Sequence, residues 1–299
     1  MRSTRRSKVV LSIAILFTFV AVAAALSIAF HVGTPGASIS LFGLGVSLGP
    51  CLAAYALAPI RLKQALRRLV LFTGGLSILA FSFLTSANID LEGFFLLVFE
   101  GVAGAAVGHT LATSVSGPIF FGRFLCGWGC WRAMILELLP TGKGDRHRQR
   151  LSRYLPFAGL AVCIAAAAFG YFVLGHRAGG VLGSPLRAGI QPLLGGVLVY
   201  YAGSIALAVA FHDQRAFCKY LCPNLPILRL TSRLSLLKIS PDSELCNCCG
   251  ACSRVCPMDI DVKTFAVSGS RIGTGECILC QRCTQACPTG ALRTAIRLH

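Results

Sequence analysis

The chain has few charged residues for its length, and acidic residues are the scarcest among them. Only 13% of its 299 residues are charged, while 55% are hydrophobic. Asp and Glu together number 11 against 28 Lys and Arg, which gives a formal net charge of +17. A chain with so little charge and so much apolar surface cannot be arranged as an ordinary soluble globule. The apolar residues therefore need a membrane as their solvent.

Two further features are missing, and each excludes a class of protein. The N-terminus carries Arg2, Arg5, Arg6 and Lys8, as a signal peptide would, but the 22-residue apolar run behind them lacks a convincing small-residue cleavage site. No nucleic-acid-binding motif accompanies the net positive charge, most of which lies in short connections between apolar runs. We therefore expect a retained membrane anchor, with membrane lipid and not nucleic acid as a partner.

Charge-poor stretches near the length that a helix needs to cross a bilayer predict six transmembrane helices. They lie at about Val9–Phe30, Ala37–Ile60, Leu69–Ile89, Gly93–Phe121, Tyr154–Gly175 and Gly189–Phe211. After Pro223 the hydrophobic runs stop. The sequence therefore predicts an all-α polytopic membrane domain over residues 1–222 and a smaller, different domain over residues 223–299.

Basic residues in two of the connections predict the orientation, because short loops rich in Lys and Arg stay on the cytoplasmic side. These residues lie between spans two and three and between spans four and five: Arg61, Lys63, Arg67, Arg68, Lys143, Arg146, Arg148, Arg150 and Arg153. With both connections inside, the N- and C-termini are cytoplasmic. The predicted location is the inner (cytoplasmic) membrane of a bacterium, with several passes.

Eight of the 15 cysteines follow the spacing of bacterial ferredoxins. The run C-x2-C-x2-C-x3-C-P occurs twice, at Cys246, Cys249, Cys252, Cys256 and Pro257 and at Cys277, Cys280, Cys283, Cys287 and Pro288. In this run three thiolates bind one cubane and the fourth reaches the other cubane. We therefore predict one [4Fe-4S] cluster on Cys246, Cys249, Cys252 and Cys287. The second cluster is predicted on Cys277, Cys280, Cys283 and Cys256.

Zinc ribbons and disulfide frameworks are the other structures rich in cysteine. Zinc sites use two separate C-x2-C pairs and not eight cysteines in this spacing, and disulfides are unusual in the cytoplasm. A metal-binding module without redox function is disfavoured for the same reason. The doubled spacing favours an α+β ferredoxin-like domain with two [4Fe-4S] clusters over residues 223–299, in which Cys248 has no ligand role.

A second repeat, R-x2-C-x3-C, follows the fourth and sixth predicted spans. Its two copies lie at Arg123, Cys126 and Cys130 and at Arg215, Cys218 and Cys222. Residues i and i+4 share a helix face, so the four thiols are expected to converge where the membrane meets the tail. They would bind a third metal centre, form a dithiol couple that exchanges electrons or contacts a quinone, or serve only as small interfacial side chains.

The order of these motifs resembles a known family. Cys126 with Cys130, Cys218 with Cys222 and Pro223, and the eight tail cysteines match membrane-bound ferredoxin-type proteins of the periplasmic nitrate reductase and methylamine-utilisation systems (NapH and MauN types). The nitrous-oxide-linked NosR type shares the module. The resemblance covers most of the chain and implies transmembrane helices that end in paired C-x3-C-P motifs, followed by a cytoplasmic two-cluster tail.

The resemblance implies electron transfer between the quinone pool and a protein partner that serves a periplasmic redox enzyme. The chain would be an electron carrier, with quinol oxidation as its activity within a complex. Trp131 stands where the family usually has Pro, and the first two spans form a hairpin that nitrate-system members lack, so the methylamine branch is preferred. The alternative function is a redox-linked assembly, maturation or regulatory factor for a partner enzyme.

Two ionisable residues in the fourth span are candidates for proton chemistry. Glu100 and His109 interrupt an apolar stretch, where ionisable groups are costly and usually functional. A carboxylate and an imidazole on the helix that leads to Cys126 could accept the two protons of a quinol, or could only hydrogen-bond between helices. Cys51 and Cys163 are single thiols in apolar spans, and we expect them to act as small hydrophobic residues.

Overall fold

The computed structural model describes the chain in five stretches: 49–85, 90–101, 105–139, 154–175 and 186–296. The predicted span Val9–Phe30 lies outside these residues, as do the first half of Ala37–Ile60 and the basic residues predicted for the connection at 143–153. The described stretches are mostly helical, and their strands lie in the C-terminal tail.

The helices that precede the tail vary widely in length. They are α1 (described over 49–57), α2 (Ile60–Thr85), α3 (Leu91–Glu100), α4 (Ala105–Leu111), a π-helical turn (Ala112–Ser116), α5 (Gly117–Phe121), α6 (Phe124–Trp128), α7 (Trp131–Leu136), α8 (Leu155–Phe172) and α9 (Leu186–Ala210). The remaining elements are α10 (Ala216–Tyr220), α11 (Leu225–Arg233), β1 (Leu237–Pro241), α12 (Ala251–Arg254), α13 (Val262–Ser268), α14 (Arg282–Ala286) and β2 (Leu292–Ile296).

These elements form two compact units. The described residues of the first unit are 49–85, 128–138 and 186–198. Those of the second unit are 90–101, 105–127, 139, 154–175 and 199–296. Both ferredoxin motifs and the whole second R-x2-C-x3-C copy therefore belong to the second unit, whereas the first copy is divided, with Cys126 in the second unit and Cys130 in the first.

Two of the described helices are long and apolar enough to cross a membrane. They are Ile60–Phe83 within α2 and Leu155–Phe172, which is α8. The pair Ala112–Phe121 and Phe124–Leu136, bent by 95°, adds a third if it crosses as one broken span, and Leu194–Ala210 in α9 is apolar but shorter. The described residues therefore support two or three spans, and the six that the hydropathy pattern predicts are not supported.

The boundary between the second and third predicted spans lies earlier than predicted. α1 is described up to residue 57, Pro59 follows, and α2 begins at Ile60. Proline lacks an N–H group and disfavours helical geometry in the residue before it, which explains a break at this point. The first turns of α2 therefore contain the basic residues that the sequence analysis assigns to a connection: Arg61, Lys63, Arg67 and Arg68.

The fourth predicted span is not one continuous helix. α3 ends at Glu100, and Gly101 caps it in the left-handed conformation with a φ of 69°. A glycine in this conformation is a common way to end a helix. The chain then continues as α4, the π-helical turn and α5. Glu100 and His109 consequently lie on different helices, α3 and α4, which corrects the expectation that one helix carries both.

In the first unit, α2 and α7 approach each other at Gly75. A Cβ atom at this position would lie 2.7 Å from the Sδ atom of Met134 and 2.9 Å from the Cα atom of Trp131. Elsewhere on the same two segments, Arg67 and Glu137 form a fully buried ion pair with an N–O distance of 2.5 Å. Since an unpaired buried charge is strongly destabilising, this pair fixes α2 against the end of α7.

In the second unit, the π-helical turn positions the segment that follows the second cysteine pair. The Thr231 hydroxyl donates to the carbonyl of Ser114 at 3.1 Å, and the Asn224 amide donates to the Ser114 hydroxyl at 2.8 Å. A π-helical turn interrupts the regular hydrogen-bond ladder of an α-helix. The side chain of Thr231 in α11 and that of Asn224, which directly precedes α11, therefore bond to this turn and hold α11 beside it.

The tail has an α+β arrangement around an apolar core. β1 pairs antiparallel with β2, so that Leu237 lies opposite Ile296 and Pro241 lies opposite Leu292. The core includes Ile239, Met258, Ile260, Val262, Ala266, Ile272, Ile278, Leu279 and Leu292. A two-stranded ribbon alone is marginally stable. The fold of this part consequently depends on how the two cysteine motifs between the strands are packed.

We predict that Gly75→Ala destabilises the protein. The added methyl group would lie too close to the backbone of Trp131, and overpacking of this kind costs about 1–3 kcal/mol. Thermal unfolding in detergent should begin at a lower temperature than in the wild type. Gly203→Ala in α9 is the matched control, because nothing lies within 4 Å of a Cβ atom there. Equal unfolding temperatures for the two variants would contradict this account of the contact.

Candidate iron-sulfur centre

Four of the predicted ligands line one cavity in the second unit, which we call the inner cavity. They are Cys256, Cys277, Cys280 and Cys283, and the remaining wall is largely apolar. The cavity contains about 340 Å³ of empty space, part of it continuous with solvent. The last cysteine of the first motif thus lies with the first three of the second motif, which is the arrangement that the crossed ligand assignment requires.

The other four predicted ligands line a second cavity, which we call the outer cavity. They are Cys246, Cys249, Cys252 and Cys287. This cavity contains about 320 Å³ of empty space, which is also partly continuous with solvent. Cys249 is exposed, whereas Cys256, Cys280 and Cys283 of the inner cavity are buried. Cys248, which the ligand assignment leaves out, also lines the outer cavity and is exposed. The two cavities therefore differ in their access to solvent.

The two cysteine motifs form two separate loops with the same backbone conformation. The second residue after the first cysteine of each motif has a positive φ, 57° at Cys248 and 51° at Leu279. The fourth residue does so again, with 71° at Gly250 and 59° at Gln281. These left-handed residues turn the chain around each cavity, and short helices α12 and α14 start directly after them. The sequence repeat is therefore also a repeat of backbone conformation.

Thiols of the inner cavity lie close enough to one another to disfavour their negative charge. Burial, followed by the neighbouring Cys280 and Cys256 thiols, raises the pKa of Cys277 to about 12. Burial also raises the pKa of Cys283 well above its ordinary value, with contributions from Cys277, Cys280 and Cys256. Iron binds thiolates and releases their protons. Four neighbouring thiols, of which Cys277 and Cys283 resist ionisation on their own, are the donor set that a multi-iron cluster would fit.

In the outer cavity, Cys287 behaves differently. Burial alone would raise its pKa, but hydrogen bonds from the Thr289 hydroxyl and from backbone N–H groups of residues 289–291 outweigh this effect and lower it. Donors aimed at sulfur also stabilise a cluster thiolate. Cys287 is therefore the tail thiol with the clearest preorganised partners for its anionic form.

A single-ion site is not found in the described part of the chain. No group of three His, Cys, Asp or Glu side chains there is placed to hold one metal ion. In a [4Fe-4S] cubane, by contrast, each cysteine binds a different iron atom, so the four sulfurs need not reach a common point. The spacing of the cysteines around each cavity fits a cluster better than it fits a zinc ion.

Arg123 of the first R-x2-C-x3-C copy connects that copy to the tail. Its guanidinium donates to the Gly275 carbonyl at 3.3 Å and forms an ion pair with Glu276 at 3.0 Å. The neighbouring Gly127 contacts the Ile278 carbonyl closely, so that a Cβ atom there would clash with it. Gly275 to Ile278 precede and contain the first ligand of the second motif. The first copy is therefore packed against the inner cavity.

The second copy reaches the same region through two buried cations. Arg215 donates to the carbonyl of Cys126 at 3.1 Å, which joins the two copies. Lys219 pairs with Asp213 and with Asp259 of the tail, both at 2.5 Å. Burial would lower the pKa of Lys219, but these two carboxylates raise it above its ordinary value. Lys219 therefore stays charged and fixes the second copy to the loop after Cys256.

Three of the four thiols in the two R-x2-C-x3-C copies lie near one guanidinium. Cys126, Cys218 and Cys222 all interact electrostatically with Arg123, and Cys126 also packs on the apolar core of the tail. Cys130 belongs to the first unit, where it directly precedes α7. Trp131 occupies the first turn of α7, a position that proline also favours. A third metal centre on the four thiols stays a prediction.

Of the two predicted proton acceptors, Glu100 is half-buried at the end of α3, and the side chain of His109 lies outside the described residues. Their joint role stays a prediction. A further carboxylate in this part of the chain, Glu92, accepts a short hydrogen bond from the Tyr200 hydroxyl. Its other carboxylate oxygen is buried and has no partner among the described residues. Sequence analysis missed this pair because the two residues are 108 positions apart.

Comparison with known proteins identifies the class of the tail. The family model of the 4Fe-4S dicluster domain matches residues 238–290. This stretch includes all eight of the predicted ligands. The match supports [4Fe-4S] clusters as the cofactor of the tail.

Similarity to individual proteins extends beyond the tail. The uncharacterized protein MJ0749 of Methanocaldococcus jannaschii is 26% identical over 222 residues, 68% of this chain and 79% of that protein. MJ0750 of the same organism, also uncharacterized, is 26% identical over 231 residues, 71% and 88% of the two chains. YccM of Escherichia coli (strain K12), named provisionally as an electron transport protein, is 32% identical over 91 residues, 30% of this chain and 24% of YccM. No solved structure matches the chain.

The electron transport description belongs to YccM itself, whose match covers 30% of this chain. The two proteins of Methanocaldococcus jannaschii match far more residues than the tail contains, so the helical part also has counterparts elsewhere.

We predict that Cys287→Ala and Cys252→Ala remove the same cluster, because both thiols line the outer cavity, whereas Cys283→Ala removes the other. Each variant should keep about half of the wild-type iron. After reduction with dithionite, the EPR spectra of the first two should match and should differ from that of the third. Cys248→Ala is the control and should keep all the iron. A Cys287→Ala spectrum that matches Cys283→Ala would disprove the crossed assignment.

Proposed function

We propose that this protein passes electrons between the quinone pool and a partner of a periplasmic redox enzyme through two [4Fe-4S] clusters. The outer cluster would be held by Cys246, Cys249, Cys252 and Cys287. The inner cluster would be held by Cys256, Cys277, Cys280 and Cys283. The supporting observation is that each of two neighbouring cavities is lined by four of the predicted ligand cysteines, drawn from both motifs in the crossed pattern.

The contacts of both R-x2-C-x3-C copies with the tail give further support for the proposal. Arg123 and Lys219 bond to Glu276 and Asp259, which lie close in sequence to Cys277 and Cys256 of the inner cavity. Electron transfer needs donor and acceptor groups close together in a fixed geometry. A store of clusters without an electron route would not need buried contacts between the membrane-surface motifs and one particular cavity. These contacts therefore support a path that enters the tail at the inner cavity.

We extend the proposal to the membrane. The chain would lie in the inner (cytoplasmic) membrane of a bacterium with about six spans over residues 1–222, and its N-terminus and its tail, residues 223–299, would be cytoplasmic. Support comes from the two or three apolar helices among the described residues and from the basic residues near the start of α2. A partner in methylamine utilisation is slightly preferred over one in nitrate reduction, because of Trp131 and the additional N-terminal spans.

The chemistry of the path requires separate carriers for electrons and protons. Each [4Fe-4S] cluster, when bound, exchanges one electron at a time. A quinol releases two electrons and two protons, so two clusters can take its electrons while side chains take its protons. Glu100 and His109 remain the proposed proton acceptors, and Cys126, Cys130, Cys218 and Cys222 the proposed contact with the quinone or a third metal centre. Arg123 would hold three of these thiols in an electropositive environment.

We predict that a short-chain quinol reduces the clusters. The measurement is the iron and acid-labile sulfide content of protein purified without oxygen in detergent, with EPR spectra before and after quinol addition. About eight irons per chain and a signal that appears with quinol are expected for two clusters. About twelve irons would instead show a third cluster at the membrane-surface cysteines.

The same experiment separates the alternative function. Clusters that dithionite reduces but quinol does not would contradict the quinone link and would favour an assembly, maturation or regulatory factor. Zinc in place of iron, with no EPR signal after reduction, would contradict the electron-transfer function itself.

We also predict that Cys126→Ala and Cys218→Ala slow quinol-driven reduction about tenfold or more while the tail keeps its iron. Both thiols lie near Arg123, which bonds to the residues directly before Cys277, so they are on the proposed route. Cys163→Ala is the matched control, since Cys163 is a buried thiol of α8 that belongs to neither R-x2-C-x3-C copy. Rates equal to the wild type in both variants would leave these thiols with a packing role only.

A further inference from the structure

A group of three charged side chains lies next to the inner cavity. Glu276 is paired with Arg123 at 3.0 Å and also forms an ion pair with Arg229 of α11. The Arg123 side chain is 1% exposed, that of Arg229 is 17% exposed and that of Glu276 is 30% exposed. Two guanidinium groups therefore share one carboxylate. The group carries a net charge of about +1, and its positive part is the more deeply buried.

This group lies against the first ligand of the inner cavity. Glu276 directly precedes Cys277, and Arg123 also donates to the carbonyl of Gly275. The Ser232 hydroxyl donates to the same carbonyl at 3.2 Å, so two side chains fix the segment directly before Cys277. The Arg123 charge acts on Cys277 directly. The position of the charge relative to the cavity is consequently set by buried hydrogen bonds.

Burial makes the reduction of a cluster in this cavity unfavourable. Four thiolates around an oxidised [4Fe-4S] core carry a net charge of about −2, and the added electron makes it about −3. The cavity wall is mostly apolar, with Ile239, Ile272 and Ile278 fully buried around it. Extra negative charge is costly in such surroundings unless a cation is near. A buried cation acts strongly here because solvent does not screen it.

We propose that Arg123 and Arg229, opposed by Glu276, set the reduction potential of the inner cluster and raise it enough for the cluster to accept electrons at the membrane side. In this proposal Arg123 does not bind the cluster. It acts by placing a buried positive charge beside it. The inference rests on the proposed function, because it requires a cluster in the inner cavity.

The test is a redox titration of the inner cluster, followed by EPR, in the full-length protein. In Arg123→Gln the net charge of the group falls by one. At a fixed ambient potential near the wild-type midpoint, the ratio of reduced to oxidised inner cluster should fall about tenfold, which equals about 59 mV for a one-electron couple. Glu276→Gln removes the opposing negative charge, so it should shift the potential upward. Damage to the fold does not predict shifts of opposite sign.

Arg254→Gln is the matched control. This exposed arginine donates to the Cys249 carbonyl beside the outer cavity at 3.1 Å. Because solvent screens an exposed charge, its removal should leave the inner cluster's potential unchanged. If Arg123→Gln does not assemble clusters, Arg229→Gln replaces it, with a smaller shift expected in the same direction because this residue is more exposed.

The possible results distinguish a failure of the proposed function from a failure of the proposed effect on the reduction potential. A wild-type protein without an inner cluster would disprove the proposed function. A wild-type protein with both clusters, but with an unchanged or higher inner potential in the arginine variant that assembles, would overturn only this inference. A lower potential in Glu276→Gln would overturn it as well.

Discussion

The structure around the inner cavity depends on buried positive charge. Arg123, Arg215 and Lys219 belong to the two R-x2-C-x3-C copies or lie between their cysteines, and all three are buried. A buried cation is tolerated only when its partners are in place. Its partners here are Glu276 and Asp259 of the tail and the carbonyl of Cys126. Without the tail, Arg123 would therefore lose its carboxylate partner. Without the two R-x2-C-x3-C copies, Asp259 of the tail would lose its pair with Lys219.

The sequence predicts well those features that are determined by residues close together in the chain. Cluster ligation needs fixed intervals between cysteines, so the ligand intervals can be read directly, and the dicluster match agrees with that reading. The crossed sorting of the cysteines between the two cavities follows from the same intervals. The left-handed positions Leu279 and Gln281 were not predictable, because neither residue is one that usually adopts this conformation. Only comparison with the equivalent Cys248 and Gly250 makes their geometry understandable.

Features that depend on distant residues could not be predicted. Arg123 and Glu276 are 153 positions apart, and only the recurrence of the arginine in both copies indicated that it had a role. Helix breaks inside apolar runs were missed for another reason. Hydropathy measures the preference of side chains for lipid, whereas Gly101 and the π-helical turn change the path of the backbone without changing that preference. The expectation that one helix carries both Glu100 and His109 was wrong for this reason.

The same loop, built twice, has been placed in two different environments. One copy of the backbone conformation surrounds the inner cavity, where three of the four ligand cysteines are buried and which is bordered by buried cations. The other surrounds the outer cavity, where Cys252 is buried but Cys249 is exposed. Cys252 of the outer cavity acts electrostatically on Cys283 of the inner one, so the cavities are adjacent. The proposed electron carrier would use this asymmetry, because its donor end must exclude solvent and its acceptor end must be reachable by a partner.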